Sequence, residues 1–299
     1  MYVIFGASGK VGARTAANLL KAGRHVRAVV RDEGQVARFS SMGCETMVAD
    51  LTDHRSVTQA IEGARAVQIL CPIPTADTNP ASTMRAMIDV AAAALHENPP
   101  PVVLALSDYG AQLEQDTGIT LLYHYLEAQL SSLRAHLIFL RSAEHMENWA
   151  RVVPAALEKG LLPSLHHPLD KAFPTVSAHD VGAIAADLLL EAAPSPETRV
   201  VNVEGPHRVA AFDVARALTE VCGQHIAAVE LPRSAWTGTL VRAGLSERHA
   251  ELIADLYDAH NAGRIDVEPG KGERRFGSTT LSEAFSSMLP SRRSSQPHH

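Results

Sequence analysis

Residues 2–12 read YVIFGASGKVG and decide the fold. Four apolar residues lead directly into glycines at positions 6, 9 and 12, and residues 11–22 then repeat apolar side chains at helical spacing. A strand, a glycine-rich turn and a helix in this order form a phosphate-binding unit, because the turn brings backbone amides up to an anion. The stretch therefore predicts a site for a dinucleotide at the start of the chain.

Each glycine of this turn has its own task. Gly6 permits the tight turn, Gly9 lets the backbone approach a pyrophosphate, and Gly12 permits close packing of the helix on the strand. The amides and the dipole at the helix start stabilise the anion, and a hydroxyl and an ammonium group from the turn can add to this. The expected phosphate-binding residues are Gly6, Ser8, Gly9, Lys10, Val11 and Gly12.

The first half of the chain alternates short β-branched apolar runs with amphipathic helical segments. This alternation is typical of a parallel sheet with crossover helices and predicts a Rossmann-type, doubly wound α/β fold. The predicted strands are residues 2–5, 25–30, 44–48, 66–70, 102–106 and 137–140. The predicted helices between them are residues 11–22, 56–62, 80–95 and 121–133.

The strict alternation stops after Arg141, which suggests a second, smaller part. Residues 1–150 are predicted to form an NAD(P)-binding Rossmann domain, to which residues of about 175–203 return with a helix and a strand. Residues 151–174 and 204–288 are assigned to a smaller C-terminal α/β lobe that contacts a substrate or partner. The lobe is predicted to contain helices at residues 212–222, 245–261 and 281–288.

Two segments are predicted to be irregular. Residues 154–173 carry several prolines and a glycine and are interpreted as a mobile connection able to close over the site. Residues 289–299 are polar and are interpreted as a disordered tail.

Composition argues against several functions. The formal net charge of −6, without a Lys/Arg cluster, argues against nucleic-acid binding, which needs a basic surface to displace phosphate counterions. The three cysteines form no CxxC pair and the histidines show no ligand spacing, so no metal site is expected. The chain lacks an apolar run long enough to span a membrane, and its apolar start is broken at Gly6 and Lys10, which fits a strand better than a signal peptide. We expect a cytoplasmic monomer or homodimer.

Arg31 ends the second predicted strand. The last residues of this strand face the adenosine ribose in a Rossmann fold, where a carboxylate pairs with the hydroxyls of NAD and a guanidinium pairs with a 2′-phosphate. Arg31 therefore favours NADP(H) as the cofactor. Asp32 follows at once and keeps NAD(H) open as the less favoured cofactor, although its side chain should point to the other face.

The chain resembles the atypical, extended short-chain dehydrogenases/reductases, and more narrowly their NmrA-like family with its quinone-reductase-like members. The resemblance lies in residues 6–12, 29–31, 49–51, 107–110, 124–127, 140–142 and 146–148, roughly the first half of the chain. It implies NAD(P)H binding, with an Asp-Leu pair at the adenine and a proline turn on the passage to the nicotinamide. Beyond the glycine turn and Arg31, the implied cofactor residues are Asp50, Leu51, Cys71, Pro72 and Ser107.

Reductases of this superfamily usually carry a Tyr-x-x-x-Lys pair, whose ammonium group lowers the tyrosine pKa and makes the phenol a usable proton donor. Here Tyr123 is followed four residues later by Glu127. A carboxylate beside a phenol raises the pKa of the phenol. Standard carbonyl reduction by this pair is therefore not expected.

Two functions are compatible with the missing lysine. In the first, the protein is an oxidoreductase that transfers hydride from NADPH to a quinone-like or otherwise conjugated acceptor, which needs little acid catalysis. His124 is then the first candidate to donate or relay a proton, since histidine ionises near neutral pH, and Tyr109 or Tyr123 can position the acceptor. In the second, the fold catalyses nothing and reports the NADP/NAD ratio to a protein partner, as the NmrA-like resemblance implies for regulatory members.

The residues after the sixth strand lie at the carboxyl edge of the predicted sheet, where ligands bind in such folds. The candidates for contact with the acceptor are His145, Met146, Asn148 and Trp149. Asn148 is the better polar candidate, whereas Met146 and Trp149 are equally plausible as packing residues between the two parts of the chain.

Overall fold

The computed structural model describes residues 1–193 and 197–289. Its strands are β1 (Tyr2–Ile4), β2 (Val26–Val30), β3 (Glu45–Val48), β4 (Ala66–Ile69), β5 (Val102–Asp108), β6 (His136–Ser142), β7 (Glu144–His145), β8 (Leu161–Ser164), β9 (Thr175–Val176), β10 (Thr198–Glu204), β11 (Ala227–Glu230) and β12 (Glu273–Phe276). Its helices are α1 (Lys10–Lys21), α2 (Val36–Ser41), α3 (His54–Ile61), α4 (Pro80–Glu97), α5 (Thr120–Leu130), α6 (Val153–Lys159), α7 (Ala178–Glu191), α8 (Ala211–Cys222), α9 (Trp236–Arg242), α10 (Glu247–Asn261) and α11 (Leu281–Met288).

Eight of these strands form one parallel sheet in the order β12-β10-β6-β5-β4-β1-β2-β3. The chain runs outward from β1 through β2 to β3, then returns to β4 and runs the other way. The order therefore reverses between β1 and β4. In open parallel sheets, ligands bind outside the carboxyl ends of the strands at such a reversal.

Both faces of the sheet are covered by helices, so its inner strands are buried along nearly their whole length. One face packs against α3, α4 and α5 and the other against α1, α2 and α7. In β4, for example, all four residues are buried. The doubly wound Rossmann-type fold predicted from the alternation is confirmed.

The glycine turn has the conformation that its sequence predicts. Gly6 has φ +68°, in the left-handed region that favours glycine. A Cβ on Gly12 would overlap the carbonyl oxygen of Gly6, so only glycine lets α1 start this close to the end of β1. The turn leads directly into α1 at Lys10.

A smaller C-terminal part adds its own apolar cluster. Side chains of α6, α8 and α11 pack together with Trp149 and Phe173. A two-stranded parallel sheet of β8 and β11 borders this cluster. The pair β7 and β9 lies where the chain leaves the carboxyl end of β6.

The six predicted strands are all present, with ends shifted by at most two residues, and strand β10 lies in the segment predicted to return to the sheet. The segment of residues 154–173, predicted to be a mobile connection, contains most of α6 and all of β8. Strand β12 was not predicted. Of the predicted tail at residues 289–299, all but the first residue lie outside the described residues.

Two further observations concern the part of the chain that the structure describes. In residues 1–193 and 197–289 no helix is both long and apolar enough to cross a bilayer. Within the same ranges no three His, Cys, Asp or Glu side chains are grouped so that they could hold a metal ion.

Candidate functional site

A cleft of about 760 Å³ opens at the carboxyl ends of β1 to β4, where the strand order reverses. Its volume falls in the range of small-molecule and cofactor sites. The glycine turn forms one wall and the segment after β6 lies across from it. The predicted cofactor residues that line the cleft are Gly6, Ser8, Gly9, Lys10, Val11, Gly12, Arg31, Asp50, Leu51 and Pro72.

The first turn of α1 provides the anion-binding end of the cleft. Its N-cap is Gly9, which has no side chain to occupy the first amides of the helix. The ammonium group of Lys10 is exposed at the same end. Exposed first-turn amides together with a lysine form a typical site for a phosphate. These residues fit the pyrophosphate of a dinucleotide.

The ends of β2 and β3 form the part of the cleft where a Rossmann fold holds the adenosine. Arg31 is exposed and lines the cleft. The neighbouring carboxylate of Asp32 accepts a hydrogen bond from the Gly34 amide at 2.8 Å and caps the following turn. Asp50 accepts two hydrogen bonds from Thr52 at 2.8 Å. Arg31 therefore presents a positive charge to the cleft, while Asp32 is engaged in its own turn.

The other end of the cleft is built from the segment after β6 and the loop after β4. His145 and Asn148, both predicted acceptor residues, line this end. Residues 73–77 face the same space, and the backbone of Thr75 is tied to α10 because its carbonyl oxygen accepts the Ser246 amide at 2.9 Å. The loop was not singled out in the sequence, since its side chains carry no motif.

Glu147 lines the cleft, although the sequence did not identify it as a site residue. Its carboxylate accepts the amide of Ala178 at 3.1 and 3.2 Å and so caps the start of α7. A carboxylate at a helix N-terminus is favoured by the helix dipole. A helix was predicted in the returning segment of residues 175–203, but its pairing with Glu147 depends on tertiary structure.

His145 is held by a neighbouring hydroxyl. Its Nε2 lies 3.3 Å from Oγ of Ser142, the last residue of β6. Burial lowers the pKa of His145, and this outweighs the opposite effect of the carboxylates of Glu147 and Glu144. The imidazole is therefore a neutral hydrogen-bonding group in the cleft at physiological pH.

The three predicted catalytic side chains occupy different places, and none of them is among the residues that line the cleft. Tyr109 is 1% exposed, and its hydroxyl donates to Glu204 at 3.1 Å. His124 is half-buried, with Nδ1 2.9 Å from the carbonyl oxygen of Ala111. Tyr123 is half-buried, and burial is the main cause that raises its pKa.

Four further predicted site residues are buried beside the cleft rather than in its wall. Cys71 and Ser107 lie inside the ends of β4 and β5, and burial raises the pKa of the Cys71 thiol to about 12. Met146 and Trp149 belong to the C-terminal apolar cluster, where Trp149 stacks near Phe173. For the last two, packing between the two parts of the chain is the role that their position favours.

Glu127, at the position of the missing lysine, belongs to a buried ion pair. Its carboxylate accepts from Nε and a terminal nitrogen of Arg141 at 2.9 and 2.6 Å, and from the Ser107 hydroxyl at 2.5 Å. Arg141 also contacts Glu268 at 3.1 Å. The expectation that Glu127 raises the pKa of Tyr123 is not met. Burial raises this pKa most, and the carboxylate that adds to the rise is Asp108.

The sequence of residues 6–192 matches the family model described as NAD(P)H-binding. A curated relative, the NAD(P)H azoreductase of Xenophilus azovorans, is 24% identical over 287 residues, which cover 92% of this chain and 95% of the relative. The chain is thus similar to a reductase along nearly its whole length.

Solved structures show the same fold. The NADPH-dependent quinone oxidoreductase from Escherichia coli, complexed with NADPH, matches with a TM-score of 0.80 and 21% identity over 96% of this chain and 99% of that one. The Citrobacter sp. triphenylmethane reductase complexed with NADP(H) matches with a TM-score of 0.78 and 19% identity over 96% and 99%. The regulator NmrA in complex with NAD matches with a TM-score of 0.67 and 16% identity over 87% and 82%. The NmrA-like resemblance is confirmed in the fold.

Proposed function

We propose, from the premise that this chain belongs to the NAD(P)H-binding family, that it is an oxidoreductase which transfers hydride from NADPH to a quinone-like or otherwise conjugated small molecule. The observation that carries this proposal is the single cleft that joins the phosphate-binding turn to the polar pair His145 and Asn148. A cofactor bound at one end would leave space for a small acceptor at the other.

The preference for NADPH rests on Arg31. Its guanidinium group lines the cleft, whereas the Asp32 carboxylate accepts the Gly34 amide. A guanidinium binds the dianionic 2′-phosphate of NADPH by charge-assisted hydrogen bonds. NADH lacks this group and would gain nothing from Arg31.

The acceptor class follows from the proton chemistry that this chain can supply. Glu127, which takes the place of the usual lysine, is paired with Arg141. Tyr123 therefore has no lysine ammonium group beside it that would lower its pKa. NADPH, when bound, supplies the hydride. A ketone would then need a strong proton donor for its localised alkoxide, whereas a quinone or an azo compound spreads the charge. The similar proteins include an azoreductase, a quinone oxidoreductase and a triphenylmethane reductase, which supports this choice.

For the residues themselves, we propose that Asn148 and the neutral imidazole of His145 orient the acceptor through hydrogen bonds. The cofactor would be held by the glycine turn, Asp50, Leu51 and Pro72. Cys71 and Ser107, which are buried beneath the cleft wall, would support these contacts. The catalytic roles of His124 and Tyr109 remain predictions. Residues 1–150, with the return at about 175–203, would bind the cofactor, while residues 151–174 and 204–288 would close the acceptor end.

The test is an assay of NADPH oxidation with a panel of quinones, azo dyes and triphenylmethane dyes, beside a measurement of NADPH binding by fluorescence. We expect turnover with at least one of these acceptors, and loss of turnover without loss of NADPH binding in Asn148→Ala. The matched control is Asn98→Ala, at the exposed end of α4. The variants His124→Ala and Tyr109→Phe belong in the same series.

The alternative is a non-catalytic redox sensor that binds a protein partner. Tight NADPH binding without turnover of any acceptor in the panel would overturn the reductase and favour this alternative. No contact in the described residues specifically supports the sensor, and the similarity to the NmrA structure concerns the fold alone.

A further inference from the structure

Asp108 carries a carboxyl group near the acceptor end of the cleft, and none of the sequence motifs assigns this group a role. It is the last residue of β5 and pairs in register with Ser142 of β6. The Ser142 hydroxyl in turn contacts His145, which lines the cleft. Neighbouring residues of paired parallel strands project their side chains to the same side. The register therefore places Asp108 beside Ser142, whose hydroxyl contacts an imidazole in the cleft wall.

The described surroundings of Asp108 place no positively charged side chain against its carboxyl group. The one side-chain hydrogen bond to it that the structure shows comes from the Thr120 hydroxyl at 2.6 Å. Two other carboxylates face it, Glu127 from α5 and Glu144 from the segment after β6. Each of these is already bonded to its own partner, Arg141 in the first case and His166 in the second.

This environment favours the protonated acid. Burial raises the pKa of Asp108 to about 7, against the opposing hydrogen bonds from Thr120 and the Tyr109 amide, and the carboxylates of Glu144 and Glu127 add to the rise. The phenol of Tyr123, in contrast, is held protonated far above neutral pH by burial and by Asp108. A group that ionises near the working pH is the better general acid.

We propose that Asp108 supplies the proton that accompanies hydride transfer and so replaces the Tyr-x-x-x-Lys pair of related reductases. This inference rests on the proposed reductase function. NADPH, when bound, would supply the hydride, which adds an electron pair to the acceptor and so reduces it, while NADPH would be oxidised to NADP⁺. The proton that the acceptor anion takes would come from the Asp108 carboxyl, whose O–H bond breaks, and would pass along the Ser142 hydroxyl and the His145 imidazole to the acceptor. The carboxylate then regains a proton from solvent.

The hydrogen bond from Thr120 provides a way to tune this acid without removing it. The Thr120 hydroxyl donates to the ionised form of Asp108 and so lowers its pKa. In Thr120→Val this stabilisation of the carboxylate is lost, and the acid should hold its proton to higher pH. A residue with a purely structural role would show no such shift.

The experiment is a pH profile of kcat/KM for NADPH oxidation with the best quinone of the panel. We expect the wild-type rate to fall as pH rises through about 7. Asp108→Asn should lose this limb of the profile and stay, at every pH, near the low rate that the wild type reaches at high pH. Thr120→Val should keep activity and move the limb to higher pH, which provides the test if Asp108→Asn fails to fold.

Asp89→Asn is the matched control. Asp89 is an exposed carboxylate on α4 that also bonds a tyrosine, since the Tyr125 hydroxyl donates to it at 2.5 Å. We expect its rate and pH profile to match those of the wild type. Turnover with an unchanged profile in both Asp108→Asn and Thr120→Val would overturn the role of Asp108 alone. Absence of turnover in the wild type with every acceptor would overturn the reductase function, and this inference with it.

Discussion

Arg31 and Asp32 show how two adjacent charged residues acquire different tasks. Strand β2 ends at Val30, so both residues follow it: Arg31 lines the cleft and Asp32 caps the next turn. The Asp32 carboxylate accepts a hydrogen bond from the Gly34 amide. Arg31 is exposed in the cleft. At the residue scale, the turn thus leaves the Arg31 side chain, and not the Asp32 carboxylate, available to a bound cofactor.

We predict that Arg31→Ala weakens NADPH binding about tenfold or more and leaves NADH binding nearly unchanged, because one charge-assisted hydrogen bond contributes at least about 1.4 kcal/mol. Binding of both cofactors is measured by fluorescence titration. Arg24→Ala, in the exposed turn after α1, should change neither affinity. Equal losses for NADPH and NADH would contradict the role of Arg31.

Gln68 is a polar residue in the interior of the sheet. It is fully buried in β4, and its side-chain oxygen and nitrogen find no hydrogen-bond partner in the described part of the chain. Burying an amide without partners costs free energy that an apolar side chain of similar shape does not. We predict that Gln68→Met raises the free energy of unfolding by about 1 kcal/mol. Urea denaturation measures this, and a lower stability would show that the amide is satisfied.

At the scale of the elements, the pair α1 and α7 connects the cleft to the fold. Gly182 of α7 lies so close to α1 that a Cβ on it would be 2.5 Å from the Val11 carbonyl oxygen. The Thr15 hydroxyl also donates to the Gly182 carbonyl at 3.1 Å. Because α1 begins at the phosphate-binding turn and α7 is capped by Glu147 of the cleft, their close packing fixes two walls of the site.

We predict that Gly182→Ala lowers the free energy of unfolding by about 1–3 kcal/mol, because the added methyl group forces the two helices apart. The same change at Gly238 of α9, where the nearest atom to an added Cβ is the end of Arg242 at 3.5 Å, should stabilise by about 0.5–1 kcal/mol through reduced backbone entropy. Urea denaturation compares the two variants. A loss of the same size in both would attribute the effect to alanine and not to helix packing.

Three of the elements that were not predicted, β12, α6 and β8, have local reasons for carrying charged or proline residues. Strand β12 reads Glu-Arg-Arg-Phe and, in the described part of the chain, lies at the edge of the sheet beside β10, so its side chains need not be apolar. Helix α6 has Pro154 in its first turn, where a proline costs no hydrogen bond, and β8 carries Pro163 in a two-stranded sheet. Prolines that suggest a loop are therefore tolerated at these positions.

At the scale of the whole molecule, Glu144 ties the end of the central sheet to the C-terminal part. Its carboxylate lies 2.7 Å from Nε2 of His166 and accepts the Tyr257 hydroxyl at 2.6 Å. Burial by itself would raise the pKa of Glu144, but the contact with His166, with further contributions from His260 and Tyr257, lowers this pKa to about 2. A native carboxyl pKa below the unfolded value near 4.5 stabilises the folded state above that pH.

We predict that the stability due to Glu144 is complete above pH 4.5 and is lost as pH falls from there towards 2. Glu144→Gln should therefore unfold more easily than the wild type at neutral pH, by about 2–3 kcal/mol, and this difference should shrink below pH 4.5. Thermal unfolding at several pH values measures it. Glu114→Gln, at an exposed site, should show no such dependence. A difference that stays constant down to pH 2 would contradict the linkage.

The sequence by itself determined the Rossmann-type sheet, its phosphate-binding turn and most of the cofactor end of the cleft, because these depend on local spacing. A strand, three glycines and a helix are adjacent in the chain, and Gly6 and Gly12 act on backbone that lies within a few residues. Only the tertiary structure decided the acceptor end. Asp108, Glu127 and Glu144 have surroundings supplied by distant segments, so their charge states could not be read from sequence neighbours.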